Sequence, residues 1–142
     1  MREKDHPRTV LLLILLPMLA ATVSQRLYLH LVNPDADLFI GGYNVHHLFT
    51  GALLEIPAAF ALAFGVRKAP VRWAALMTLG VGSGMVLDEV IYLITTDGSN
   101  ASYLLPISLW GAVVLIGLGA ALLLVLYART RTSEASCNLP HG

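Results

Sequence analysis

Four long apolar stretches, broken by short polar connections, set the pattern of this chain. They run over about residues 10–32, 45–66, 71–95 and 103–127, and each is long enough for a bilayer-spanning helix, which needs about 20 mostly apolar residues. The connections carry turn chemistry. Asn33-Pro34-Asp35 closes the first stretch, because proline restricts the residue before it and cannot extend a helical ladder. Asp97-Gly98-Ser99-Asn100 predicts a tight turn, and Asn44 stands where a side chain would cap the second helix. Short connections favour an antiparallel up-down arrangement. The expected fold is therefore all-α: an integral membrane, antiparallel four-helix transmembrane bundle over 1–130, followed by a polar tail at 131–142.

Composition supports this pattern. Of 142 residues, 56% are hydrophobic and 13% charged, too apolar a balance for a soluble domain of this length. The formal net charge is zero, so nothing in the charge balance points to nucleic acid. Cys137 is the single cysteine, which excludes an internal disulfide and CxxC redox chemistry. The N-terminal stretch also has the basic start and short apolar run of a secretory signal. Its apolar character resumes over Leu27–Val32, however, which favours a complete helix.

Charge orients the helices. Lys and Arg gather at the N-terminus (Arg2, Lys4, Arg8), in the connection around Arg67, Lys68 and Arg72, and at Arg129 and Arg131. The other two connections are acidic or neutral. The positive-inside rule then predicts a multi-pass protein of the plasma membrane with both termini cytoplasmic. Asn100-Ala101-Ser102 matches a glycosylation sequon on the outer side, but so near the membrane a turn is the better reading.

The costly residues are then the ionisable ones inside the apolar stretches. At about 1.5 Å per residue, His46 and His47 lie roughly 3–5 Å below the outer end of their helix, Arg26 roughly 9 Å, Asp88 and Glu89 roughly 10–12 Å, and Glu55 roughly 16 Å. Three helices thus place polar groups in one half of the bundle. His47, Gly51 and Glu55 share a stripe at four-residue spacing, and so do Gly80, Gly84 and Asp88, a small-residue face that lets helices approach closely. Gly82 lies under Glu89 in the same way.

Ionised, Glu55, Asp88 and Glu89 exceed Arg26 by two negative charges, and each buried charge costs roughly 2.5–3.5 kcal/mol even on the lenient insertion scale. A divalent metal such as Zn, Fe or Mn, held by His46, His47, Asp88 and Glu89, would neutralise the excess. Protonated carboxylates or histidinium would do so as well. Near a helix N-terminus the dipole favours neutral imidazole. Glu55 is too far along its helix to share that ion comfortably; it is expected as a protonated acid, a second-site ligand or a proton relay, the last making it the candidate catalytic residue. Arg26 is a candidate ion-pair partner, with His30 and Tyr92 close enough in depth to join the cluster; Tyr28 and Tyr43 have the character of boundary anchors.

With Val45–Gly51 ("VHHLFTG") and Gly80–Glu89 ("GVGSGMVLDE"), the chain resembles small uncharacterised prokaryotic integral membrane proteins. Those pair an HIHH…G helix start with a GxGxGxxxDE helix. Here Asn44 and Val45 precede the histidines, so the outermost histidine of that pattern is missing. The resemblance stresses His46, His47, Asp88 and Glu89 and brings no activity with it.

Three functions follow as expectations. One is a metal-binding membrane protein, acting if catalytic on a lipid or other apolar substrate. Another is a non-catalytic membrane subunit with a buried Arg/carboxylate packing network. The third is a proton- or cation-conducting component. Gly117 and Ala121 offer a small-residue face for packing within the chain or for a homo-oligomer.

Overall fold

The computed structural model describes residues 6–31, 39–41 and 43–137. Helices dominate: α1 (Pro7–Leu31), α2 (His47–Ala63), α3 (Ala69–Thr95), α4 (Asn100–Tyr103) and α5 (Pro106–Cys137). A two-residue antiparallel pair precedes α2, with β1 (Phe39–Ile40) against β2 (Tyr43–Asn44). Of the helices, α1, α3 and α5 are long and apolar enough to cross a membrane, and α2 is a shorter apolar helix of 17 residues.

Local chemistry explains the boundaries that depart from expectation. Asn44 does not cap α2, because its backbone belongs to β2; the cap position falls to His46, whose side chain makes no capping bond. At the other end, Gly65 takes a left-handed φ of 69°. The Gly65 N–H then donates to the Leu62 carbonyl and the Val66 N–H to the Ala61 carbonyl, a Schellman closure that stops α2 before residue 66. Pro70 stands in the first turn of α3, where its missing N–H costs nothing. The stretch expected from 103 to 127 starts on the last residue of α4, breaks at Leu104 and Leu105, and runs on in α5, which Pro106 opens. Beyond Tyr127, α5 continues to Cys137, so the first part of the polar tail expected from 131 is helical, a run with neither Gly nor Pro to end it. The Asn33-Pro34-Asp35 stop lies outside the described residues.

The central element is α3, which packs against α1, α2 and α5, while α1 also meets α5. Missing side chains make two of these contacts close. A Cβ added at Gly80 or Gly84 would run into the carbonyl oxygen of Ile14 or Met18 of α1. On another face, Gly51 of α2 and Gly82 of α3 meet backbone to backbone; a Cβ on either would sit 2.7 Å from the other's carbonyl oxygen. Contact partners rise together along α1 and α3 (Ile14 with Gly80, Met18 with Gly84, Arg26 with Asp88). Along α2 and α3 they run oppositely (His47 with Glu89, Gly51 with Gly82). Met18, Ala112 and Ile116 form one apolar core, and Leu29, Tyr92 and Tyr103 a second beside the polar cluster.

Candidate functional site: a buried polar layer

Near one end of α3, Asp88 and Glu89 are both buried, at 0% and 2% exposure. Each finds donors from a different direction. Arg26 Nε donates to Asp88 Oδ1 at 2.6 Å, and the Tyr103 hydroxyl donates to Asp88 Oδ2. Arg26 Nη2 reaches the Ser108 carbonyl and hydroxyl oxygens, both at 3.2 Å, so the guanidinium ties α1 to α3 and α5 together. The Arg26 guanidinium carbon also sits 4.6 Å from the centre of the Tyr103 ring, within cation–π range. Thr22, one turn before Arg26, donates to the Met18 and Gly84 carbonyls.

Glu89 turns toward α2. Its Oε1 accepts from His47 Nδ1 at 2.9 Å and its Oε2 from the Leu48 backbone N–H at 2.6 Å. A carboxylate at a helix N-terminus satisfies an otherwise unpaired N–H and meets the positive end of the helix dipole. Glu89 thereby supplies from α3 the capping contact that neither Asn44 nor His46 makes. His46 Nδ1 lies 3.9 Å from the same Oε1, and its ring meets Tyr92 edge-on at 5.9 Å. The His47 ring stacks over Tyr103 at 6.4 Å, and Tyr103 meets Tyr92 at 5.2 Å in a T-shaped contact. The stacked His47 and Tyr103 rings thus bring donors to Glu89 and Asp88 respectively.

The residues singled out from the sequence are distributed rather than gathered. Arg26 and Asp88 pair; His46, His47 and Glu89 form a second group; Tyr92 is buried with its ring against those of His46 and Tyr103, its hydroxyl donating to the Ser99 carbonyl. Among the described residues, no three His, Cys, Asp or Glu side chains are grouped as metal ligands. The proposed ligand set is split because adjacent helical residues point about 100° apart. Glu55 stays on the α2–α3 contact face, where its Oε1 accepts from the Ser83 hydroxyl at 2.9 Å. His30 is exposed on α1, and the side chain of Tyr43 lies outside the described residues.

Two participants are missing from the sequence reading. Tyr103 counted only as the beginning of a helix, and Ser108 had no signal at all. The clue to Tyr103 was its place directly after the turn that brings the chain back past Asp88, where a boundary tyrosine can turn its hydroxyl inward.

Compared with family models, curated proteins and solved structures, the chain matches none. The geometry of the layer therefore carries the functional argument alone.

Proposed function

We propose that this chain is a multi-pass plasma-membrane protein in which α1, α2, α3 and α5 cross the bilayer as an antiparallel four-helix bundle, with both termini cytoplasmic. The placement of Arg67, Lys68, Arg72, Arg129 and Arg131 supports the orientation. At about 26 Å for 17 residues, α2 falls a little short of a hydrocarbon core of about 30 Å, a mismatch that local thinning or tilt of its neighbours absorbs. The protein acts as a non-catalytic membrane subunit, its buried polar layer fixing the depth and register of α3 against the other three helices.

One observation carries this reading: all four carboxylate oxygens of Asp88 and Glu89 have donors from the chain itself. Carboxylates that are buried and engaged on both oxygens suit a packing role, each tying α3 to a different neighbouring helix. Buried ionic groups best serve such a registry role.

A second reading, a divalent-metal site, has one observation in its favour. The Nδ1 atoms of His46 and His47 approach the same Glu89 oxygen, at 3.9 and 2.9 Å. Zn, Fe or Mn would there replace the His47–Glu89 hydrogen bond with imidazole and carboxylate ligands. Elemental analysis of purified protein separates the two, alongside His46→Ala/His47→Ala and Asp88→Asn variants. The structural reading requires no stoichiometric metal and a less stable but membrane-inserted Asp88→Asn protein. Stoichiometric metal that disappears in the double histidine variant overturns it.

A further inference from the structure

A groove of about 600 Å³ runs between α1 and α5. Its walls are apolar: Leu19, Val23 and Leu27 of α1 face Leu109, Val113 and Ile116 of α5. Only one end differs. There Arg26 and, one turn further along α1, His30 line the groove.

Arg26 is not used up by the buried layer. Its Nε and Nη2 serve Asp88 and Ser108, while Nη1 has no partner among the described residues, and the side chain keeps 15% of its surface exposed. The other polar group of the wall, Thr22, already donates its hydroxyl hydrogen to backbone carbonyls. In a hydrocarbon environment an unpaired guanidinium N–H is costly, and no water competes to satisfy it. Asp88 balances the Arg26 charge, so Nη1 calls for an acceptor oxygen rather than a counter-ion. Its occupant therefore carries oxygen acceptors at one end and an apolar chain along the rest.

We propose that the groove is a binding site for a glycerophospholipid of the surrounding bilayer. An acyl chain lies between α1 and α5, and an ester or phosphate oxygen accepts from Arg26 Nη1 with His30 beside it. The volume falls within the range of small-molecule sites, about 300–1,000 Å³. Gly117, which sequence reading assigned to a packing face, lines this groove, and a Cβ there meets nothing within 4 Å. Within the chain it brings no two helices together and leaves the groove floor open.

The inference rests on the membrane reading above, and the experiment keeps the two apart. Membranes carrying wild-type protein or Gly117→Leu are first washed with alkaline carbonate. The protein is then purified in mild detergent and titrated with palmitoyl-oleoyl phosphatidylglycerol under native mass spectrometry. Wild type retains one lipid per chain. Gly117→Leu fills the groove without disturbing the helices and lowers lipid affinity by about tenfold, the weight of one or two buried methylenes. His30→Ala weakens binding less, and Arg26→Gln, which also disturbs the polar layer, is judged only if its circular dichroism matches wild type. Equal lipid retention by wild type and Gly117→Leu, or none by wild type, overturns the lipid site while leaving a carbonate-resistant membrane protein. Release of wild type by carbonate overturns both.

Discussion

Asp88 and Glu89 are consecutive residues that serve different helices: Asp88 pairs with Arg26 of α1, and Glu89 receives His47 and the Leu48 N–H of α2. The step of about 100° between neighbours on a helix makes this division possible. The glycines below follow it, with Gly80 and Gly84 toward α1 and Gly82 toward α2. One helix is thus fixed on two sides at one level by charge and at lower levels by backbone contact.

The Arg26–Asp88 pair is buried deeply enough for its loss to be felt. Asp88→Leu leaves Arg26 facing a hydrophobic partner and is expected to cost about 3–5 kcal/mol of stability. Replacing both, as Arg26→Met/Asp88→Leu, recovers much of this, because two apolar side chains remove the uncompensated charge. The Tyr103 hydroxyl then remains without its acceptor, a residual cost of about 1–3 kcal/mol. Thermal unfolding of the three variants in one detergent tests the order: single mutant lowest, double mutant intermediate, wild type highest.

Glu89 acts as a cap supplied from another helix. Glu89→Gln keeps the shape but replaces one acceptor oxygen with an amide donor, leaving either His47 or the Leu48 N–H poorly served. The expected loss is about 1–3 kcal/mol. Hydrogen exchange places it: amides at the first turn of α2 exchange faster, while those of α5 stay protected. Uniform acceleration along the whole chain would contradict the capping role.

Glycine contacts differ sharply among themselves. Gly82→Val places a branched side chain 2.7 Å from the Gly51 carbonyl oxygen, and backbone cannot step aside as a side chain can. Overpacking of this kind costs about 1–3 kcal/mol or more. Gly117→Ala adds its methyl to unobstructed space and gains helix propensity, by about 0.8–1 kcal/mol. Unfolding temperatures should therefore move in opposite directions. Equal losses at both positions would remove the distinction between a helix contact and a groove floor.

Much of this arrangement was legible in the sequence because depth and helical spacing are arithmetic. Arg26, Asp88 and Glu89 fall at one level by residue count, and Gly80, Gly84 and Asp88 share a face by period. What periodicity does not carry is lateral direction. It placed Asp88 and Glu89 beside the same histidines, whereas a single residue step sends them to different neighbours. Tyr103 was hidden for a related reason: its hydroxyl reaches Asp88 only because α4 and the break before Pro106 set the return path of the chain. Polar composition also proved a poor stop signal at the end of α5, since helices end at caps and breakers rather than where hydrophobicity fades.

The loop between α3 and α4 gives a pH-dependent test outside the membrane segments. The Ser102 hydroxyl, followed by the Ser99 N–H and Ser99 hydroxyl, donates to Asp97 Oδ1 and holds its carboxyl down at about 2. A depressed value means the folded state favours the ionised form. This contribution is complete above the unfolded value of about 3.9 and is lost as pH falls toward 2. A carbon-13 titration of the Asp97 carboxyl in detergent micelles should show its midpoint near 2, with Asp97→Asn removing the transition. In the same range the Ser99 and Ser102 amides should lose protection, because Ser99 also caps α4 through its hydroxyl. A midpoint near 4 with unchanged amide protection would mean that the serines do not hold the carboxylate in solution.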